Sequence, residues 1–247
     1  MLAKMIELTG QFALLSAKYD FPEQREPNQK YMIASTPRSG STLLAMKLWE
    51  TGLLGAPLEY VNVQSWMVAM IARLQVGDLR TYCQKVLSLR TSPNGVFGIK
   101  VHPAQMDFLI NTGTVHHFLP KQVIRVRRRD TVGQAISLVI ASQTRQFSSL
   151  ESARAEPVYR TAAITQALST LRKGEAIWDE HLQRMAASVH TCWYEDLIDN
   201  FEPVLDQVCD FLLPGQPHKR QLNLPALERQ ASSRNAEWRD MYMQETR

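Results

Sequence analysis

The chain has 247 residues, 45% of them hydrophobic, with 28 Lys and Arg against 24 Asp and Glu for a net charge of +4. This suits one large α/β domain or two small ones with a full core, and the mild positive charge suits an anionic small molecule and is weak evidence for nucleic acid unless it clusters. No apolar run reaches the roughly 18 residues that span a bilayer. The three cysteines, Cys83, Cys192 and Cys209, are an odd number without CxxC spacing, so they imply no metal site and no disulfide framework. A reducing, cytoplasmic compartment is the default expectation.

In chain order, residues 1–29 are an amphipathic or loosely ordered arm, with Lys4, Glu7 and Lys18 inside its apolar stretch and no A-x-A-like cleavage site. YMIAST (31–36) is the first strand. A helix runs from about Ser41 to Gly52, a glycine placed to end it. Residues 62–92 give helices with connecting turns, and GVFGIKVH (95–102) and KQVIRVR (121–127) are strands. Asp130 can cap a helix over 130–147. Residues 151–186 are expected to be helical, SVHTCWY (188–194) is a fourth strand, and one helix follows from Glu195 to Leu212. Residues 216–247 form a polar tail, packed on the rest through Trp238 and Tyr242. Strands alternating with helices predict a P-loop-like, doubly wound parallel sheet flanked by helices in a single domain, with ligands at the carboxyl ends of the strands.

Two stretches point to anions. ASTPRSGSTLL (34–44) places small hydroxyl residues, an arginine and one glycine between a strand and a helix. Free backbone N–H groups and the helix dipole favour negative charge there. Aligned with the Walker pattern GxxxxGK[ST], Ser35 replaces the first glycine and Ser41 the lysine, so a magnesium-dependent triphosphatase is disfavoured. Arg38 can supply the cation in bidentate fashion. In RVRRRDTVGQAIS (125–137), Arg129 at a strand end and Ser137 two helical turns later could hold a second phosphate. The adjacent pair His116-His117 has no third ligand at a sensible spacing and is expected at the surface.

Together these residues resemble the sulfotransferases, and within that superfamily the bacterial trehalose sulfotransferase family. The resemblance is carried by TPRSGSTLL, GAPLEY (55–60), GVFGIK (95–100), RRRDTVGQAISL (127–138), WYEDL (193–197) and RQAS…EW (229–238), in register over residues 31–238. It implies 3′-phosphoadenosine 5′-phosphosulfate (PAPS) as sulfuryl donor, no metal, and in-line transfer to a hydroxyl of a carbohydrate, a trehalose-like sugar or a glycolipid. It implies that Arg38, Ser39, Gly40, Ser41 and Thr42 hold the 5′-phosphate, with Arg38 stabilising the leaving group. Arg129 and Ser137 would then hold the 3′-phosphate, and Tyr194 would lie beside the adenine. Glu59 in PLEY matches the family's general base, and His102, in a Lys100-Val101-His102 setting, is its rival. Trp66 is a candidate platform for the acceptor sugar, and a homodimer is implied by family likeness alone. The competing readings are a small-molecule kinase of P-loop type and a nucleotide-binding homologue without activity. The short connections after residue 60 and the compact tail leave the acceptor open.

Overall fold

Apolar runs in four places pair into one parallel sheet. In the computed structural model, which describes residues 8–217, 221–228, 230 and 232–246, β1 (Gln29–Ser35), β2 (Val96–Val101), β3 (Gln122–Arg127) and β4 (Ser188–Trp193) lie in the order β2-β1-β3-β4. Tyr31 of β1 is in register with Gly98 on one side and Gln122 on the other. Every residue of β2 is buried, as is β1 from Tyr31 onward, which is what helices on both faces of a parallel sheet produce.

The helices in chain order are α1 (Ser41–Glu50), α2 (Trp66–Leu74), α3 (Leu79–Arg90), α4 (Pro103–Asn111), α5 (Val115–Phe118), α6 (Thr131–Thr144), α7 (Thr161–Arg184), α8 (Tyr194–Asp199), α9 (Phe201–Leu212) and α10 (Ser233–Glu245). Successive strand residues point to opposite faces. Met32, Ala34, Phe97, Ile99 and Val101 therefore pack with Met70 of α2, Val86 of α3, Met106 of α4 and Trp178 of α7. Tyr31, Ile33, Val96, Ile124 and Val126 pack on the other face with Val208 and Leu212 of α9. The sheet is doubly wound, as the sequence predicts. None of the helices formed by the described residues is long and apolar enough to cross a membrane.

Several local expectations need correction. Residues 151–160 are not helical: α7 begins only at Thr161, and Pro157 lacks the N–H that a helix interior needs. The helix expected after β4 is two helices, broken at Asn200 (φ −137°, ψ 57°). The sequence reading missed α4 and α5, although Pro103 at the first turn of α4 is a starting signal. His116 and His117 lie on α5 with rings 4.0 Å apart, one exposed and one half-buried.

The described parts of the arm and of the tail both pack on the domain, the tail as expected. From Gly10 the arm makes two short 3-10 turns and buries Leu14, Leu15 and Phe21. Arg90, fully buried, donates to the carbonyls of Leu14, Leu15 and Tyr19 and pairs with Asp20 at 3.1 Å. Those partners satisfy its two terminal nitrogens, while its Nε is buried without a partner among the described residues. In the tail, Trp238 and Tyr242, four residues apart on α10, pack against α6 and α7. Arg229 and Ala231 of the RQAS segment lie outside the described residues.

Candidate anion and acid–base site

The loop at the carboxyl end of β1 turns sharply into α1. Arg38 (φ 64°) and Gly40 (φ 84°) both take left-handed backbone. Gly40 is further restricted because a Cβ there would stand 2.6 Å from Cδ2 of Tyr194. The loop leaves the Ser39 Oγ buried and, among the described residues, without a hydrogen-bond partner. Ser41, also buried, opens the first turn of α1, where helical N–H groups have no internal acceptor. We expect Gly40→Ala to destabilise the fold by at least the 1–2 kcal/mol of left-handed strain. Calorimetry should show a melting temperature lower by about 2 °C or more.

One arginine lies in this loop, a second touches it, and a third follows at the end of β3. Arg38 donates from Nε to Ser137 Oγ (3.0 Å), from one terminal nitrogen to the Phe147 carbonyl (2.6 Å) and from the other to Gln230 Oε1 (2.7 Å). Burial, and then the neighbouring Arg128, lower its pKa, without making a guanidinium titrate in the ordinary range. Arg128 lies over the Tyr194 ring at 4.5 Å and donates to the Arg38 carbonyl at 3.4 Å. Its Nε is buried and unpartnered among the described residues. Arg129 is half-exposed, stacks on Trp193 at 4.8 Å, and makes a bidentate pair with Asp196 at 2.6 and 2.8 Å.

The sequence reading assigned Arg129 and Ser137 to one phosphate, which two contacts within the protein do not test. In the structure Ser137 meets Arg38, while Arg129 meets Asp196. Sequence spacing fixes how far apart two residues lie on an element, not which acceptor a long guanidinium finds. The Glu195 carboxylate accepts from the backbone N–H groups of Arg129 and Asp130, both at 3.0 Å. Asp130 in turn caps α6 by accepting from Gly133 N. This ties the start of α8 to the β3–α6 turn and holds Tyr194 against Gly40.

On the other side of β1, the two rival bases are in contact. Glu59 Oε1 receives Lys100 Nζ at 2.8 Å and lies 3.5 Å from His102 Nε2. Its Oε2 accepts from Asn62 (2.8 Å) and Gln105 (2.9 Å). Burial pushes the Glu59 carboxyl up, but Lys100 and His102 outweigh it and hold the group well below the usual carboxylate range. His102 Nδ1 faces the Ser35 carbonyl at 2.8 Å. A carbonyl only accepts, so Nδ1 carries a proton and Nε2 is the atom that faces Glu59.

Lys100 joins the two halves by donating to Thr42 Oγ1 at 2.7 Å. The sequence reading gave Lys100 no role of its own. The available signal was a lysine inside an otherwise apolar strand that is buried end to end. Arg128 was likewise missed among its neighbouring arginines. Trp66 is not an open platform: it is 6% exposed and packs edge-on against Phe12 at 5.4 Å. Beside Thr42, Glu59 and Lys100 lies a void of about 10 Å³, walled by Leu14, Trp66, Leu150 and Leu227, room for about one water molecule.

The sequence model of the family described as Stf0 sulphotransferase matches residues 30–245. The chain is 27% identical over 257 residues to the Trehalose 2-sulfotransferase of Mycolicibacterium smegmatis, covering 86% of this chain and 93% of that protein. It is 28% identical over 255 residues to the Trehalose 2-sulfotransferase of Mycobacterium tuberculosis, covering 87% and 94%. Among solved structures, the Sulfotransferase Domain from the Curacin Biosynthetic Pathway is similar at 18% identity and a TM-score of 0.49, covering 78% of this chain and 77% of that one.

Proposed function

The chain belongs to the Stf0 sulphotransferase family, and from that premise we propose that it moves a sulfuryl group from PAPS to a hydroxyl of a carbohydrate, trehalose or a glycolipid built on a similar sugar. The observation that carries the donor half is the pair of buried polar atoms, Ser39 Oγ and Arg128 Nε, left without partners in the described part of the chain beside the N-terminus of α1. The described residues hold four other such atoms, on Ser16, Arg25, Arg90 and Arg125; Ser39 differs in lying beside a helix N-terminus, which favours an anion. Two anionic groups on one nucleotide fit a site with Arg38 in the loop, Arg128 against it and Arg129 next in sequence.

PAPS supplies an activated sulfuryl group on a 5′-phosphate that leaves readily. The N–H groups of Ser39, Gly40, Ser41 and Thr42, with the Ser39 and Ser41 hydroxyls, bind that phosphate. Arg38 neutralises charge growing on the leaving oxygen, exchanging its contacts with Phe147 and Gln230 for the anion. Arg129 and Ser137 bind the 3′-phosphate, for which Arg129 must leave Asp196. Tyr194 flanks the nucleotide next to Gly40. In such loose transfers the protein mostly positions groups and stabilises charge.

Glu59 is the base for the acceptor hydroxyl. The 3.5 Å contact between Glu59 and His102 is the longest around the carboxylate and the one a hydroxyl most readily replaces. A depressed pKa makes Glu59 a weak base, but a loose transition state needs little nucleophile deprotonation before the bond forms. The names of the relatives support a sugar acceptor. The void of about 10 Å³ beside Glu59 is too small for a disaccharide.

Titration calorimetry tests the donor. The wild-type chain is expected to prefer adenosine 3′,5′-bisphosphate over 5′-AMP and magnesium-ATP. Arg129→Ala should weaken bisphosphate binding about tenfold to a hundredfold, the scale of one charged hydrogen-bonded contact, and leave AMP binding unchanged. A wild-type chain with no such preference overturns the reading and brings the kinase alternative forward.

A further inference from the structure

Beneath the anion loop lies a polar cluster that none of the assigned roles uses. Its centre is Glu175 on α7. Glu175 Oε1 accepts from Thr36 Oγ1 at 2.8 Å, and Oε2 accepts from Arg125 at 2.6 Å and lies 3.0 Å from Arg127 Nε. Thr36 is 1% exposed and Arg125 2% exposed. Gln134 of α6 donates both to Thr36 Oγ1 (3.0 Å) and to the Pro37 carbonyl (2.7 Å). Two further contacts come from the same face of α7. Trp178 Nε1 donates to the Ser35 carbonyl at 3.0 Å. Gly174 passes so close that a Cβ would stand 3.0 Å from the Thr36 methyl.

We propose that Glu175 is a positioning residue for sulfuryl transfer, which fixes the entrance of the anion loop, residues 35–37, through Thr36. This inference rests on the donor reading given above. A loop that carries a left-handed arginine two residues after Thr36 is not held in that shape by its own sequence preferences. The shape is imposed from outside, and the hydroxyl of Thr36 is where the imposition is applied. It receives from Gln134, donates to Glu175, and so has no freedom to rotate. Arg125 and Arg127 anchor the carboxylate from the sheet side, so the position of Thr36 is referred to β3 rather than to α7 alone. Groups that orient a binding residue through such contacts affect affinity although they never touch the ligand.

The test uses the full chain and adenosine 3′,5′-bisphosphate as probe. Thr36→Val removes the hydroxyl while leaving the buried Glu175–Arg125 pair intact, so the chain is expected to fold. Its Kd for the bisphosphate should rise about tenfold or more, the usual scale for losing an orienting partner. Thr36→Ser, which keeps the hydroxyl, should bind nearly as wild type, and Glu175→Gln should resemble Thr36→Val. All Kd values are taken well below each variant's melting temperature, where every chain is folded, so a change of stability alone does not move them. If the wild type binds the bisphosphate and Thr36→Val binds it equally tightly, the positioning role is wrong and the donor reading stands. If the wild type does not bind it, the donor reading falls and this inference with it.

Discussion

Glu59→Gln is expected to lower turnover about a hundredfold or more, the usual scale for a lost general base. An amide keeps the shape of the carboxylate and still offers a carbonyl to Lys100, which is buried and also holds Thr42. Folding should therefore survive well enough for kinetics to be measured. The same substitution has a pH signature. Glu59 is held well below its ordinary value of 4.5 by Lys100 and His102, against the upward push of burial. A group depressed in the folded state contributes stability above its unfolded value, and that contribution is lost as pH falls through the folded one. Wild-type stability should thus decline as pH is lowered from about 4.5, and the decline should be shallower in Glu59→Gln. Denaturant titrations between neutral and acid pH measure this. If Glu59→Gln turns over almost as fast as wild type while His102→Ala is inactive, the proton goes to His102.

Arg38→Ala is expected to lower kcat by about 10²- to 10³-fold at saturating donor, the range seen when one pre-aimed group is removed from a developing negative charge. The left-handed backbone at Arg38 (φ 64°) is costly for a side-chain-bearing residue, so the position is tuned for the guanidinium rather than for ease of folding. Arg38→Lys should recover part of the rate, since it restores the charge but not the planar fork. Steady-state assays with labelled sulfate donor check both variants, and wild-type kcat in Arg38→Ala would remove the residue from the chemistry.

The sheet was legible because β1 and β2 are apolar runs bounded by turn residues, and β3 and β4 carry β-branched and aromatic residues between polar ones. The loop was legible because a lone glycine among hydroxyl residues between a strand and a helix has few other uses. Asp130 announced its helix by capping it. Less legible were choices made by tertiary packing. Nothing local says that helix formation pauses at Asn200. Long side chains hid the most: Arg129 reaches Asp196, Arg38 reaches Ser137 and Gln230, and Lys100 reaches across to Thr42. Each partner lies tens of residues or more away in sequence, where periodicity carries no information. Glu175 was unreadable for the same reason, as one acidic residue on a long helix with charged neighbours.

The strand order also governs how the protein comes to be made. β1 sits between β2 and β3, so Gln29 finds its partner at Val96, and Tyr31 finds one at Gly98 and the other at Gln122. The anion loop leaves the ribosome early, yet Glu175 and Gln230, which brace it, are translated far later. Pairings this distant in sequence make folding slow. The nascent chain therefore carries an unbraced anion loop until Glu175 and Gln230 have both been translated.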